Sequence, residues 1–118
     1  VALMQHAIVR VDTVLSLQEW EAFCAEHEVK RLKAAAGGNI YTRGGKMGIE
    51  CVFGQGTRGG DIDPPPPPEA SDVTFTTVWG GSKVTELAEL AVAFWARFGG
   101  TIVADEGVRR AIAGQGIM

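Results

Sequence analysis

Residues 83–98 carry apolar side chains around more of a helical cylinder than a surface helix needs. At 100° per residue, Ser82, Glu86, Glu89, Ala93 and Arg97 form a narrow polar strip. Val84, Leu87, Ala88, Leu90, Ala91, Val92, Phe94, Trp95 and Phe98 fill an arc of about 200°, against roughly 100° for an ordinary amphipathic helix. Fully burying each large side chain is worth roughly 1.5–3 kcal/mol, so an uncovered half would form a sticky patch. The excess must be covered by another helix, by a loop or by a second copy of the chain, and the arc leans towards a homodimer. The segment has clear limits: Ser82 is the expected N-cap, and Gly99-Gly100 stops the helix before a short strand, Thr101 to Ala104.

The rest of the chain supplies what such a helix packs on. The 118 residues fit one domain, 46% hydrophobic and 21% charged, which suffices for a core without staples. His6 to Val11 alternates as a half-buried strand, with Ala7, Val9 and Val11 on one side and His6, Ile8 and Arg10 on the other. Ser16-Leu17-Gln18-Glu19 is a capping box opening a helix. Leu17, Trp20, Phe23, Cys24 and His27 share its apolar face, and the helix is expected to reach about Ala36 before Gly37-Gly38; Val29 lies off the stripe and marks Glu28 as an alternative break. Strands are predicted at 39–43 and 47–53 around the turn Gly44-Gly45-Lys46, and at 73–79, with a last short helix from Asp105 to about Ala113. The order β-α-β-β-β-α-β-α predicts an α+β fold: a mainly antiparallel sheet of about five strands with two main helices on one face, with a ferredoxin-like core as one version.

Residues 54–72 form a long Gly/Pro-rich loop that holds all 5 prolines of the chain. Pro64 to Pro68 should form a stiff polyproline II rod of about 15 Å, which needs something to lie against. A groove partner could be Trp79 or Trp95 of a neighbouring subunit, with Pro66 at the centre of the contact. Gly54-Gln55-Gly56-Thr57-Arg58-Gly59 matches half of the dinucleotide fingerprint. The other half is a helix, and five prolines cannot form it. Asp61 and Asp63 lack calcium-loop spacing. Cys24 and His27 stand on one helix face, but zinc needs three or four ligands, so no metal or other cofactor is expected. The 2 cysteines read as buried small hydrophobes rather than a disulfide. A net charge of −3 argues against nucleic acid. No apolar run reaches the ~20 residues of a membrane span, and no leader pattern is visible, so a cytoplasmic setting is expected.

The stretch Trp79-Gly80-Gly81 … Phe94-Trp95-Ala96-Arg97-Phe98-Gly99-Gly100 … Asp105 resembles the C-terminal part of small uncharacterised bacterial α+β proteins of the mobile (integron) gene-cassette or immunity-like type. The resemblance covers about the last third of the chain. It implies a bacterial, accessory, cytoplasmic setting and carries over no catalytic residue.

The expected function is therefore a non-catalytic binding or interaction protein acting as a homo-oligomer. Its interface is expected at Leu87, Ala91, Phe94, Trp95, Phe98, Trp79 and Pro66. The alternative is a small-molecule binder using the polar sheet face, where alternation collects Arg10, Tyr41, Arg43, Glu50, Thr74 and Thr76. A further alternative is a small enzyme with His6 and Glu50 as an acid–base pair, which requires the two to converge.

Overall fold

The computed structural model describes residues 4–31, 40–44, 48–54, 68–77 and 82–114. The strands are β1 (Gln5–Ser16), β2 (Lys30–Arg31), β3 (Ile40–Arg43), β4 (Ile49–Phe53), β5 (Glu69–Thr77) and β6 (Thr101–Ala104). The helices are α1 (Leu17–Glu26), α2 (Ser82–Phe98) and α3 (Glu106–Gly114). All strand pairs are antiparallel, in the order β2-β3-β4-β5-β1-β6. The α+β expectation holds, with one strand, β2, more than foreseen, and α3 stands where the last short helix was expected. The four strands β4-β5-β1-β6, with α1 and α2 as connections, have the strand order of a ferredoxin-like core, and β2 and β3 are added at one edge.

The chain enters α1 without a loop. Ser16 ends β1, pairs with Glu69 and caps α1: its Oγ accepts from the Glu19 amide at 3.1 Å, and its own amide donates to Glu19 Oε1 at 3.2 Å. The Leu17 amide donates to the Pro68 carbonyl at 2.8 Å, which ties the start of the helix to the start of β5.

The first helix is shorter than expected. It ends at Glu26, with His27 as C-cap and Glu28 left-handed at φ +59°. The Val29 amide then donates to the Cys24 carbonyl at 2.9 Å, and both side chains are buried. This is the Schellman ending, with Glu28 where glycine is usual. Val29 lay off the helical stripe because it serves this reversal. The basic pair Lys30-Arg31 that follows is an edge strand, where the helix was expected to continue towards Ala36.

The core lies between one sheet face and the helices. Ala7, Val9, Tyr41, Ile49, Cys51, Phe53, Val73 and Phe75 from the sheet meet Trp20, Phe23, Leu87, Leu90, Phe94, Val108 and Ile112 from the helices. Trp20 is at its centre. Its ring lies 5.5–6.3 Å from those of Phe23, Tyr41, Phe53, Phe75 and Phe94. The wide apolar arc of α2 is absorbed here: it packs on β1, β4 and β5 below and α3 beside it, and Phe94 and Phe98 meet Phe23 of α1.

The turn from α2 into β6 needs both glycines for different reasons. Gly99 has φ +78° and open space around it, whereas at Gly100, with φ +102°, a Cβ would sit 1.9 Å from the Arg10 carbonyl oxygen. The Gly100 carbonyl also accepts the Trp95 indole N–H at 2.9 Å. Gly99→Ala should therefore cost about 1 kcal/mol, the left-handed penalty alone. Gly100→Ala should cost at least about 2–3 kcal/mol, because the β1–β6 junction must open. Glu28→Gly should raise stability by up to about 1 kcal/mol by relieving the same penalty. Urea unfolding of the three variants checks the order.

Candidate functional site

Alternation along the strands leaves the second face of the sheet without a described helix. The registers resolve that face into cross-strand rows. Ile40, Val52, Thr74, Ile8 and Val103 stand directly opposite one another from β3 to β6. Every residue of this row is β-branched. On one side of it runs the row Lys30, Thr42, Glu50, Thr76 and His6. On the other side stand Asp72, Arg10 and Thr101. Val103 is 55% exposed, Ile8 and Val52 are half-buried, and Thr76 is buried at 8%.

Of the residues expected on this face, Arg10, Glu50, Thr74 and Thr76 are there. Tyr41 and Arg43 are not. Alternation in β3 runs in the opposite phase, and Ile40 and Thr42 take the open side. Tyr41 is 1% exposed, edge-on to Trp20, with its hydroxyl donating to Glu21 Oε2 at 3.4 Å. A tyrosine can fill a core and keep its hydroxyl at the rim, so its polar atom misled the reading. Arg43 reaches Glu86 of α2 at 3.5 Å, and Lys83 joins the same carboxylate at 3.2 Å. Both groups are about one-third exposed, so the cluster is a rim feature of modest worth.

His6 and Glu50 do not converge. Thr76 of β5 stands between them in the row, which separates their strands by two spacings, about 10 Å. His6 instead meets Asp105, which no pattern along the sequence had linked to it. The Asp105 carboxylate accepts from the His6 amide at 2.8 Å and lies 3.1 Å from Nδ1, while the Asp105 amide donates to the His6 carbonyl at 3.1 Å. The pair extends the β1–β6 ladder by one residue, and both side chains are more than 40% exposed. Arg10 stands opposite Asp72 rather than Glu50, which is displaced along the sheet by four residues, about 13 Å.

The expected interface residues Leu87, Ala91 and Phe94 are spent within the chain's own core, at 0% exposure. Trp95 and Phe98 are half-buried at the end of α2, where the Arg97 guanidinium lies 5.2 Å from the Phe98 ring and pairs with Glu26. Trp79, Pro66, the glycine-rich string at 55–60 and Asp61 and Asp63 lie outside the described residues, as does the side chain of Ser82. An open groove of 570 Å³ lies at the β2 edge, lined by Ala25, Glu28, Lys30, Thr42 and Gly44. None of its lining residues was expected at a binding site or interface.

Both cysteines are free and buried. Among the described residues no three His, Cys, Asp or Glu side chains are grouped as a metal would need, and no helix is long and apolar enough to cross a membrane. Against known proteins, no family model, no curated sequence and no solved structure matches the chain.

Burial pushes the Cys24 and Cys51 thiols well above their ordinary range, and burial with the nearby Glu21 does the same for the Tyr41 phenol. Each neutral form is favoured by folding, so this stability is fully present below the unfolded values and lost as pH rises past them. Urea unfolding should show a plateau up to about pH 8 and a decline above about pH 9, where unfolded thiols ionise. Native protein at pH 7.5 should resist thiol alkylation, with both cysteines reacting once it is unfolded. Rapid labelling of the folded chain at either cysteine would contradict the assignment.

Proposed function

We propose that the chain is a non-catalytic binding or interaction protein, that it acts as a homo-oligomer, and that its working surface is the open face of the sheet. The observation that carries this reading is the β-branched row Ile40–Val52–Thr74–Ile8–Val103, which crosses five neighbouring strands on the side away from the helices. Such a row offers a flat, rigid apolar strip, and its charged flanks, Lys30 and Glu50 on one side and Arg10 and Asp72 on the other, would fix the register of what lands on it. The motive for an oligomer has moved. The apolar arc of α2 is used internally; of the large apolar side chains that stay exposed, Val103 stands in this row, and Val14 and Met4 lie outside it.

A small-molecule binder on the same face is the second reading. It is supported by the register, which brings Arg10, Glu50, Thr74 and Thr76 onto one face of the sheet. Under either reading the cassette-type resemblance would make the chain a bacterial accessory protein of the cytoplasm.

Light scattering at micromolar concentration tests the oligomer: a dimer or larger mass is expected, and a monomer mass removes that half of the proposal. Thr74→Lys tests the surface. It places a charge at the centre of the row and should cost less than about 1 kcal/mol if the face meets solvent. A loss of several kcal/mol would mean that the face is buried inside the chain, and the surface half would fall.

A further inference from the structure

The two edges of the sheet are built differently. The β2 edge is two residues long, and both are basic, Lys30 and Arg31. Short length and lysine are the usual means of stopping a sheet from growing. The β6 edge, Thr101-Ile102-Val103-Ala104, carries no charge and no proline. Its described neighbour is β1 alone, and Val103 is 55% exposed.

The register fixes which backbone groups of β6 are committed. Asp105 donates its amide to the His6 carbonyl, and the pairs Ile8–Val103 and Arg10–Thr101 continue that register in steps of two. In an antiparallel ladder hydrogen-bonded pairs alternate with non-bonded ones. The amides and carbonyls of Thr101 and Val103 therefore turn towards β1. Those of Ile102 and Ala104 turn outwards.

We infer that the outer edge of β6 pairs antiparallel with β6 of a second copy about a two-fold axis through Val103. This rests on the homo-oligomer reading and supplies its contact. Symmetry and the direction of the free groups select the centre. A two-fold axis perpendicular to the sheet joins like faces, so paired residues must have the same parity, and the axis passes through a residue rather than between two. Centred on Val103, Ile102 pairs with Ala104 of the second copy and Ala104 with its Ile102. These are the outward-facing groups, and they form about four backbone hydrogen bonds. Val103 meets its own symmetry mate as a non-bonded pair, in which side chains stand closest. The contact is isologous, so it closes at two copies and does not propagate. The protected β2 edge leaves no second site for growth. The dimer doubles the six-stranded sheet and joins the two open faces into one.

Cysteine cross-linking tests the axis. Val103→Cys would bring two Cα atoms to about 4.5 Å, inside the range a disulfide spans. Thr101→Cys lies on the same face but would be about 13 Å from its mate, too far to bridge. Cys24 and Cys51 are 3% and 0% exposed and do not compete. Under mild oxidation the Val103→Cys protein should become a covalent dimer and the Thr101→Cys protein should not. Ala104→Pro removes an outward amide at a position where an edge strand tolerates proline. It should weaken the dimer at least 100-fold while the monomer keeps its melting temperature. A wild-type dimer whose Val103→Cys form fails to cross-link overturns the edge pairing and leaves the oligomer reading intact. A wild-type monomer at 100 µM overturns both. A heterologous strand from another protein captured at β6, with no self-association, also overturns the inference.

Discussion

The packing of Trp20 holds together elements that have no other reason to meet. Its indole is completely buried and touches rings from α1, β3, β4, β5 and α2. Each such aromatic pair adds about 0.5–1.5 kcal/mol beyond the area it buries. The site has a cost, because the indole N–H has no hydrogen-bond acceptor among the described residues. An orphaned donor costs about 1–3 kcal/mol, which the surrounding rings must outweigh. Trp20 can serve this role because α1 is fixed at both ends: by the capping box and the Pro68 carbonyl at its start, and by the reversal through Glu28 at its end.

Placing every described helix on one side has a chemical consequence for the other. The helix side takes up the described aromatics, Tyr41 among them, and both cysteines. What remains outside is β-branched residues, threonines, scattered charges and His6, which is taken up by Asp105. That inventory suits recognition by shape and register better than bond-making, and it leads to the binding role proposed above. The same division accounts for the apolar excess of α2. A helix flanked by a sheet and two other helices needs an apolar surface on several sides.

Element order apart from β2, the capping box, the helix at Ser82–Phe98 and the Gly99-Gly100 break could all be read from the chain, because each rests on local periodicity or on a residue with a restricted backbone. The misses share a cause. The phase of β3 could not be read from Ile40-Tyr41-Thr42-Arg43, where apolar and polar character are mixed on both sides; the partner Cys51 decides it. The β2 strand is too short for any pattern and exists because β3 pairs with it. The His6–Asp105 contact and the gap between His6 and Glu50 both follow from strand order, which is set by packing between distant segments. Sequence alternation assigned Arg10, Glu50, Thr74 and Thr76 to the correct face but gave no distances within it.

The position of β1 bears on how the molecule is assembled. The earliest strand is an interior one, flanked by β5 and β6, and its contact with Asp105 spans 99 positions. Neither flank can form until most of the chain is available, so the entropy of closing two large loops must be met before the central ladder contributes. Until then, β1 shows two bare edges. The capping box at its far end uses only neighbours in sequence, and it lets α1 start before the sheet exists. A helix start specified by its sequence neighbours is thus joined to a strand whose partners are all distant in sequence, and Ser16 belongs to both.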